Sequence, residues 1–359
     1  MLWRSAARAI VTLRWGQILT HSCKLDSVPF CRSLVMNSAK KVYVTRRVPQ
    51  SGVDALTAAG CEITQWDSDD RVPKQELIKN IAGKDGLFCL LTDRIDKEVL
   101  DAAGPQLKVI GTMSVGYDHI DMDECKKRGI PIGYTPDVLT NATAELTVAL
   151  LLTTSRRLKE GMNAVVDGKW GTWSPLWLCG QGLDGATVGV VGLGRIGLAV
   201  AKRLQPFGVK QFLYTGNSPK EGAKEIGADF VDFDTLVKES DFVLGCCALT
   251  DKNKGLFNAD VFKKMKKTAI FINTSRGGLV VQEDLYDALK SGEILAAGLD
   301  VTTPEPLPTD SPLLGLENCV VIPHIGSATM KSRGAMSELT ARNILAIFNG
   351  VPMPCPLLV

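Results

Sequence analysis

The stretch TVGVVGLGRIGLAVAKRLQPF, residues 187–207, decides how the chain is read. Thr187–Val191 is an apolar, β-branched run that suits a buried strand. It passes directly into Gly192-Leu193-Gly194-Arg195-Ile196-Gly197, and a helical stretch follows to Phe207. Glycines at GxGxxG spacing carry weight only in this strand–turn–helix setting. There Gly192 permits the tight turn, Gly194 lets the backbone approach a pyrophosphate, and Gly197 lets helix and strand pack closely. The helix N-terminus adds N–H donors and the positive end of a dipole. Gly192, Leu193, Gly194, Arg195, Ile196 and Gly197 are therefore candidate dinucleotide-binding residues.

Working outward, short apolar runs alternate with helical segments on both sides of this turn. From Lys40 the runs Val42–Val44, Glu62–Gln65, Leu87–Leu91, Val109–Thr112 and Ile132–Tyr134 read as strands. Between them Gly52–Ala59, Pro73–Ala82, Asp96–Ala103 and a segment after Asp121 read as helices, with Asp121 and Glu124 spaced as a capping box. A long helix is expected from Thr140 to Arg157, apolar on nearly all sides at its centre and hence buried between domains. A loop with Trp170, Trp173 and Trp177 follows, then a second series from Thr187 to about Asn318 and a helix near Thr329–Phe348. Alternation of this kind predicts an α/β protein of two Rossmann- or flavodoxin-like parallel-sheet domains around a cleft. The expected division is a substrate-binding domain of residues 40–139 and 324–359, with a dinucleotide-binding domain of residues 140–323 inserted into it.

The strand after the glycine turn, Phe212–Thr215, should end at the adenosine ribose. An enzyme selective for NAD usually places an acid there to accept from the 2′-hydroxyl. The run is Gly216-Asn217-Ser218-Pro219-Lys220, without an acid. Gly216, Asn217, Ser218 and Lys220 thus favour the 2′-phosphate of NADPH, with NADH as the permissive alternative.

Three further strands end in polar residues. Ile270–Asn273 leads to Thr274-Ser275-Arg276, Ala296–Leu299 leads to Asp300 and on to Glu305, and Val320–Ile322 leads to His324 and Ser327. Ligands of such sheets sit beyond the carboxyl ends of the strands. A substrate with a carboxylate beside a carbonyl, the 2-keto-acid class that the resemblance described next implies, would suit these residue types. Arg276 can grip the carboxylate with two parallel donors. His324 can protonate the carbonyl oxygen as hydride reaches its carbon. Glu305 can bind the other ring nitrogen and favour the imidazolium. His119 is the rival acid, but it precedes a helix and reads as a packed or capping residue.

With Ser114–Asp121, Gly192–Gly197, Ser275–Gly278, Gly298–Asp300, Pro304–Leu307 and Pro323–Ala328 in view, the chain resembles the D-isomer-specific 2-hydroxyacid dehydrogenase family from about Lys40 to Pro354. Gly133–Thr140, Pro175–Gly180 and Thr329 are similar to its animal branch that reduces glyoxylate to glycolate and hydroxypyruvate to D-glycerate. The resemblance implies NADPH-dependent reduction of such acids and a homodimer. It also implies backbone donors to the substrate carboxylate at Val115 and Gly116, and contact between Asp300 and the nicotinamide carboxamide. Ser327 joins Val115, Gly116, Arg276 and His324 in the substrate set, and Thr274 and Gly326 join the cofactor set. Two other readings stay open: a dehydrogenase of a different D-2-hydroxy acid, and a dinucleotide-sensing corepressor of the same fold.

Composition narrows the field. A net charge of +2 with 22% charged residues lacks the clustered basic charge of a nucleic-acid binder. No apolar run reaches the roughly 20 residues that span a bilayer. Ten Cys without a CxxC pair, and three His without zinc-site spacing, point to reduced thiols and no metal. Residues 1–38 differ from the rest, with Arg4, Arg8, Arg14, Lys24 and Arg32 against the single acid Asp26. An Arg-rich, amphipathic leader of that kind is expected to direct a protein to mitochondria; a start at Met36 would leave it in the cytoplasm.

Overall fold

The computed structural model describes residues 38–357, so residues 1–37 of the leader lie outside the described residues. The first half runs β1 (Lys41–Val44), α1 (Gln50–Ala58), β2 (Glu62–Gln65), α2 (Lys74–Ile81), β3 (Gly86–Cys89), α3 (Lys97–Ala103), β4 (Val109–Thr112), α4 (Met122–Arg128) and β5 (Ile132–Gly133). Two helices follow, α5 (Thr140–Ser155) and α6 (Leu158–Val166). The second half runs β6 (Thr187–Val191), α7 (Arg195–Leu204), β7 (Gln211–Thr215), β8 (Ala228–Phe230), α8 (Phe233–Glu239), β9 (Phe242–Gly245), α9 (Ala259–Lys264), β10 (Ile270–Asn273), α10 (Gln282–Ser291), β11 (Ala296–Leu299) and β12 (Cys319–Val321). The chain closes with α11 (Met330–Phe348) and β13 (Pro356–Leu357).

The strands form two sheets, ordered β13-β5-β4-β3-β1-β2 and β12-β11-β10-β9-β6-β7-β8. All pairings are parallel except β13 against β5. This last strand carries no sequence signal of its own. It is held by Asn343 of α11, which donates to the Tyr134 carbonyl and accepts from the Cys355 N–H. The strand order reverses between β1 and β3 in one sheet and between β6 and β9 in the other, and such reversals open a crevice at the strands' carboxyl ends.

Alternation along a strand assigns its side chains to opposite faces. In β10, Ile270 and Ile272 enter one core with Val188, Val190 and Phe212, while Phe271 enters the other with Val243 and Phe257. Both faces are covered, which is why these strands are continuously apolar. In the first sheet, α11 buries Met336, Ala341 and Ile344 against Val42, Val44, Phe88 and Val109.

Three expectations need correction. The helix from Thr140 ends at Ser155, because Arg157 adopts the left-handed region (φ 54°), and α6 starts anew beyond it. Nor is α5 sandwiched between domains. Its Ala144, Leu150 and Leu151 pack on the second sheet, while Ala149 is exposed. The capping box at α4 is one-sided. Asp121 accepts from the Glu124 N–H, but the Asp121 N–H bonds Ile95 and the Glu124 carboxylate pairs with Arg128.

Candidate active site

A cleft at the carboxyl ends of both sheets is lined by Val115, Gly116 and Asp118 from the loop after β4, Ile196 of α7, Arg276, and Asp300, His324, Gly326 and Ser327. The glycine turn is shaped as a phosphate cradle. Gly192 has φ 97°, a conformation that L side chains rarely adopt. A Cβ on Gly197 would lie 2.4 Å from the Gly192 carbonyl, so α7 and β6 could not approach as they do. Gly194 and Arg195 are exposed at the start of α7, where the helix's first N–H groups await an acceptor. These features fit a dinucleotide. Leu193 differs from its neighbours: its side chain is buried in the core, leaving only its backbone for a ligand. Gly216, Asn217, Ser218 and Lys220 are exposed beyond β7, outside the lining of the cleft.

Arg276 is held by its surroundings. The buried Asn273 at the end of β10 accepts from the Ser275 N–H and hydroxyl and donates to the Arg276 carbonyl, which clamps the turn. Arg276 Nε donates to Asp118 Oδ1 at 3.0 Å, across 158 residues of sequence. Burial pushes the Asp118 carboxyl up, but the Arg276 charge and hydrogen bond outweigh it and hold the group below the usual range. A Cβ on Gly116 would sit 1.6 Å from Arg276 Nη2, so the loop and the guanidinium occupy one tight space. Asp118 and Asn273 were absent from the sequence expectations. For Asp118 a signal existed, since it is the acid nearest Gly116 in the Ser114–Asp121 segment.

His324 stands at φ 51°, a left-handed conformation that costs of order 1–3 kcal/mol in a non-glycine residue. Its N–H donates to the Asp300 carbonyl, while the next two N–H groups, of Ile325 and Gly326, donate to Asp300 Oδ1 and Oδ2 at 2.7 and 2.9 Å. Asp300 is thus the anchor of the histidine loop. Burial raises its carboxyl, against the pull of those two N–H bonds. His324 Nδ1 meets Glu305 Oε2 at 2.8 Å, and Glu305 Oε1 accepts from the Thr302 N–H. Burial raises Glu305, but the bond to His324, that residue's charge, the Thr302 N–H and the Arg276 charge together carry it below its ordinary value. With Nδ1 engaged, Nε2 is the ring nitrogen left for a substrate. Thr274 is buried and its hydroxyl meets that of Thr147 on α5. His119 is buried against Thr112 at 3.0 Å and does not cap α4, whose cap is Asp121.

Among the described residues every cysteine is free, no group of three or more His, Cys, Asp or Glu is placed to hold a metal ion, and no helix is long and apolar enough to cross a membrane.

Comparison with known proteins agrees with this geometry. Residues 148–326 match the model for the NAD-binding domain of D-isomer specific 2-hydroxyacid dehydrogenases. The human glyoxylate reductase/hydroxypyruvate reductase is 60% identical over 319 residues, which cover 88% of this chain and 97% of that one. A glyoxylate reductase of Thermofilum pendens is 48% identical over 317 residues, 88% of this chain and 93% of its own. Among solved structures, a Thermus thermophilus protein is 44% identical with a TM-score of 0.83, covering 89% of this chain and 100% of that one. An NADPH-dependent glyoxylate/hydroxypyruvate reductase of Sinorhizobium meliloti, crystallised with NADP and malonate, is 30% identical with a TM-score of 0.77, covering 89% and 97%. Shared along nearly the whole described chain, these similarities make this protein a member of the D-isomer specific 2-hydroxyacid dehydrogenase family.

Proposed function

We propose that the protein reduces glyoxylate and hydroxypyruvate, with NADPH preferred over NADH. The observation that carries this reading is the convergence of Arg276 and the His324–Glu305 pair on one cleft beside the glycine cradle. The coenzyme, when bound, supplies the hydride. Arg276 holds the substrate carboxylate and draws electron density toward the carbonyl oxygen. Val115 and Gly116 offer backbone N–H groups to the same carboxylate, and Ser327 lines the cleft beside them. His324 donates its Nε2 proton to the carbonyl oxygen as charge develops there. Glu305 fixes the ring through Nδ1 and stabilises the imidazolium that this step consumes. The relatives of 60% and 30% identity bear names for this same activity, which supports it over other D-2-hydroxy acids and over a corepressor role. NADPH oxidation followed spectrophotometrically with each acid tests the reading; no turnover with either would overturn it.

We further propose a homodimer formed through α6 and the tryptophan loop. Val166, Trp173 and Leu176 are 85%, 80% and 85% exposed, and Met162, Val165 and Trp170 extend the same apolar segment. Exposed apolar surface on this scale marks an interface. A monomeric mass in light scattering at micromolar concentration would refute it. The mitochondrial destination of residues 1–38 is likewise proposed, and a fluorescent fusion of that segment that stays diffuse in the cytosol would sink it.

A further inference from the structure

The wall of the cleft nearest Arg276 is the loop that leaves β4. Among the described residues, no protein group accepts from the N–H of Val115 or Gly116. The Gly116 carbonyl, which shares its peptide with the Tyr117 N–H, would set an acceptor against a substrate carboxylate if it faced the cleft. It is held inward, where Ser114 Oγ donates to it at 2.6 Å. Behind Ser114 the contacts continue to Thr112 Oγ1 at 2.8 Å, and from there to His119 Nε2 at 3.0 Å.

The direction of this chain is determined. A hydroxyl has one proton to give. That of Ser114 goes to a carbonyl, which can only accept. The proton between Ser114 and Thr112 is therefore Thr112's, and the proton between Thr112 and His119 comes from the imidazole. The imidazole thereby carries a proton on Nε2, and burial with an unpartnered Nδ1 keeps the ring neutral and Nδ1 bare. Its Nδ1 is buried without a partner, a smaller penalty for a lone pair than for an orphaned N–H. Burial, ahead of the surrounding charges, drives the imidazole down to about 4; the Asp118 carboxylate opposes this, and the Arg276 and Arg94 guanidinium groups assist it. The opposite tautomer would break the chain, since no proton would remain between Thr112 and Ser114.

We propose that His119 is a positioning residue for the substrate carboxylate: its Nε2–H starts a one-way chain through Thr112 and Ser114 that holds the Gly116 carbonyl inward and keeps that acceptor off the wall where the Val115 and Gly116 N–H groups meet the substrate. His119 touches no reacting atom and acts through the loop alone. A Gly116–Tyr117 peptide turned the other way would set the Gly116 carbonyl, an acceptor, against the substrate carboxylate.

The inference rests on the 2-keto-acid reading of the cleft, but the tautomer can be observed without turnover. Three variants separate the possibilities. Ser114→Ala removes one oxygen at the loop, His119→Leu removes the first donor, and His119→Gln keeps an N–H within similar reach. Ser114→Ala should raise the KM for glyoxylate and the inhibition constant of oxamate, an unreactive carboxylate, by about three- to tenfold, as for loss of one neutral hydrogen bond. Its kcat should stay within about twofold, the signature of lost binding and not of lost chemistry. His119→Leu should match or exceed that effect, His119→Gln should restore most of it, and NADPH binding measured by fluorescence should be unchanged throughout. With three His in the chain, 15N-imidazole spectra should resolve His119 as a neutral ring protonated at Nε2. If His119→Leu fails to fold, Ser114→Ala and the spectrum still decide. A wild-type proton on Nδ1, or an unchanged KM and oxamate inhibition in Ser114→Ala, would overturn the proposal. Absence of wild-type turnover with glyoxylate is a separate result and would remove the functional reading itself.

Discussion

His324 lines the cleft and His119 lies buried behind the loop after β4 that forms part of its wall, each after the carboxyl end of a strand, and their surroundings differ accordingly. His119 is 6% exposed and meets a hydroxyl. Burial, with the Arg276 and Arg94 charges, outweighs the Asp118 carboxylate there, so the ring stays neutral. His324 meets a carboxylate at 2.8 Å on a side chain open to the cleft, which fixes the ring and leaves Nε2 facing the site, as the proposed acid requires. The residue type is the same; the partner of one ring nitrogen, together with burial, decides whether it orients or reacts.

The sharpest way to break this contrast is His324→Gln. Loss of the proton donor should lower kcat by about 10²–10⁴-fold while leaving coenzyme binding intact. A folded variant with near-normal kcat would mean that the proton comes from elsewhere. Glu305→Gln should follow, with a loss of about ten- to a hundredfold in kcat, as when a charged hydrogen bond is exchanged for a neutral one. It has a second signature in stability. Because the Glu305 carboxyl is held below its ordinary value in the folded chain, its contribution is fully present above the unfolded value of about 4.3. That contribution is lost as pH falls through the lowered value. The difference in Tm between wild type and Glu305→Gln should therefore be largest near neutrality and close up in acid. A gap that widens toward acid would contradict the assigned shift.

Asp118→Asn probes the opposite wall. It keeps an acceptor for Arg276 Nε but removes the charge, while Arg276 Nη1 still donates to the Ser275 carbonyl at 2.8 Å. The expected result is a loss of about three- to tenfold in kcat/KM, mainly through KM. An unchanged KM would show that the Ser275 and Asn273 contacts suffice to place the guanidinium.

What was legible beforehand follows the same divide. The glycine turn and the three strand ends bearing Arg276, Glu305 and His324 are local patterns: a short apolar run followed by polar residues that a strand would not keep. The second wall depends on long-range pairing. Asp118 and Arg276 meet only once both sheets have formed, and no periodicity links residues that far apart. The Thr112–Ser114–His119 chain was hidden for another reason. Thr112 and Ser114 flank an ordinary strand end, where small hydroxyl residues are common, and only the inward turn of Gly116 gives them a function. The helix end near Arg157 was legible to within two residues, whereas α6 behind it went unread. His324 shows the converse: its residue type was conspicuous, but the left-handed backbone imposed by Asp300 left no trace in the sequence.

The smallest effect concerns coenzyme choice at the rim, where both walls are remote. β7 ends at Thr215, and Gly216 follows with open space around the position of a Cβ, so a side chain fits there without strain. The Lys220 N–H donates to the Tyr214 hydroxyl at 2.9 Å, which folds the segment back over the strand, and Lys220 Nζ lies 3.4 Å from Ser218 Oγ. The rim thus presents hydroxyl and ammonium donors and no acid, the arrangement a 2′-phosphate favours. Gly216→Asp would add an acceptor for a 2′-hydroxyl, repel a 2′-phosphate and draw Lys220 toward itself. All of these groups are exposed, so water and salt weaken each contribution, as they do for surface ion pairs. The ratio of kcat/KM for NADPH over NADH should therefore fall by about three- to tenfold, and by less as ionic strength rises. A wild-type enzyme that already prefers NADH, or a ratio that Gly216→Asp leaves unchanged at low salt, would show that the end of β7 does not select the coenzyme.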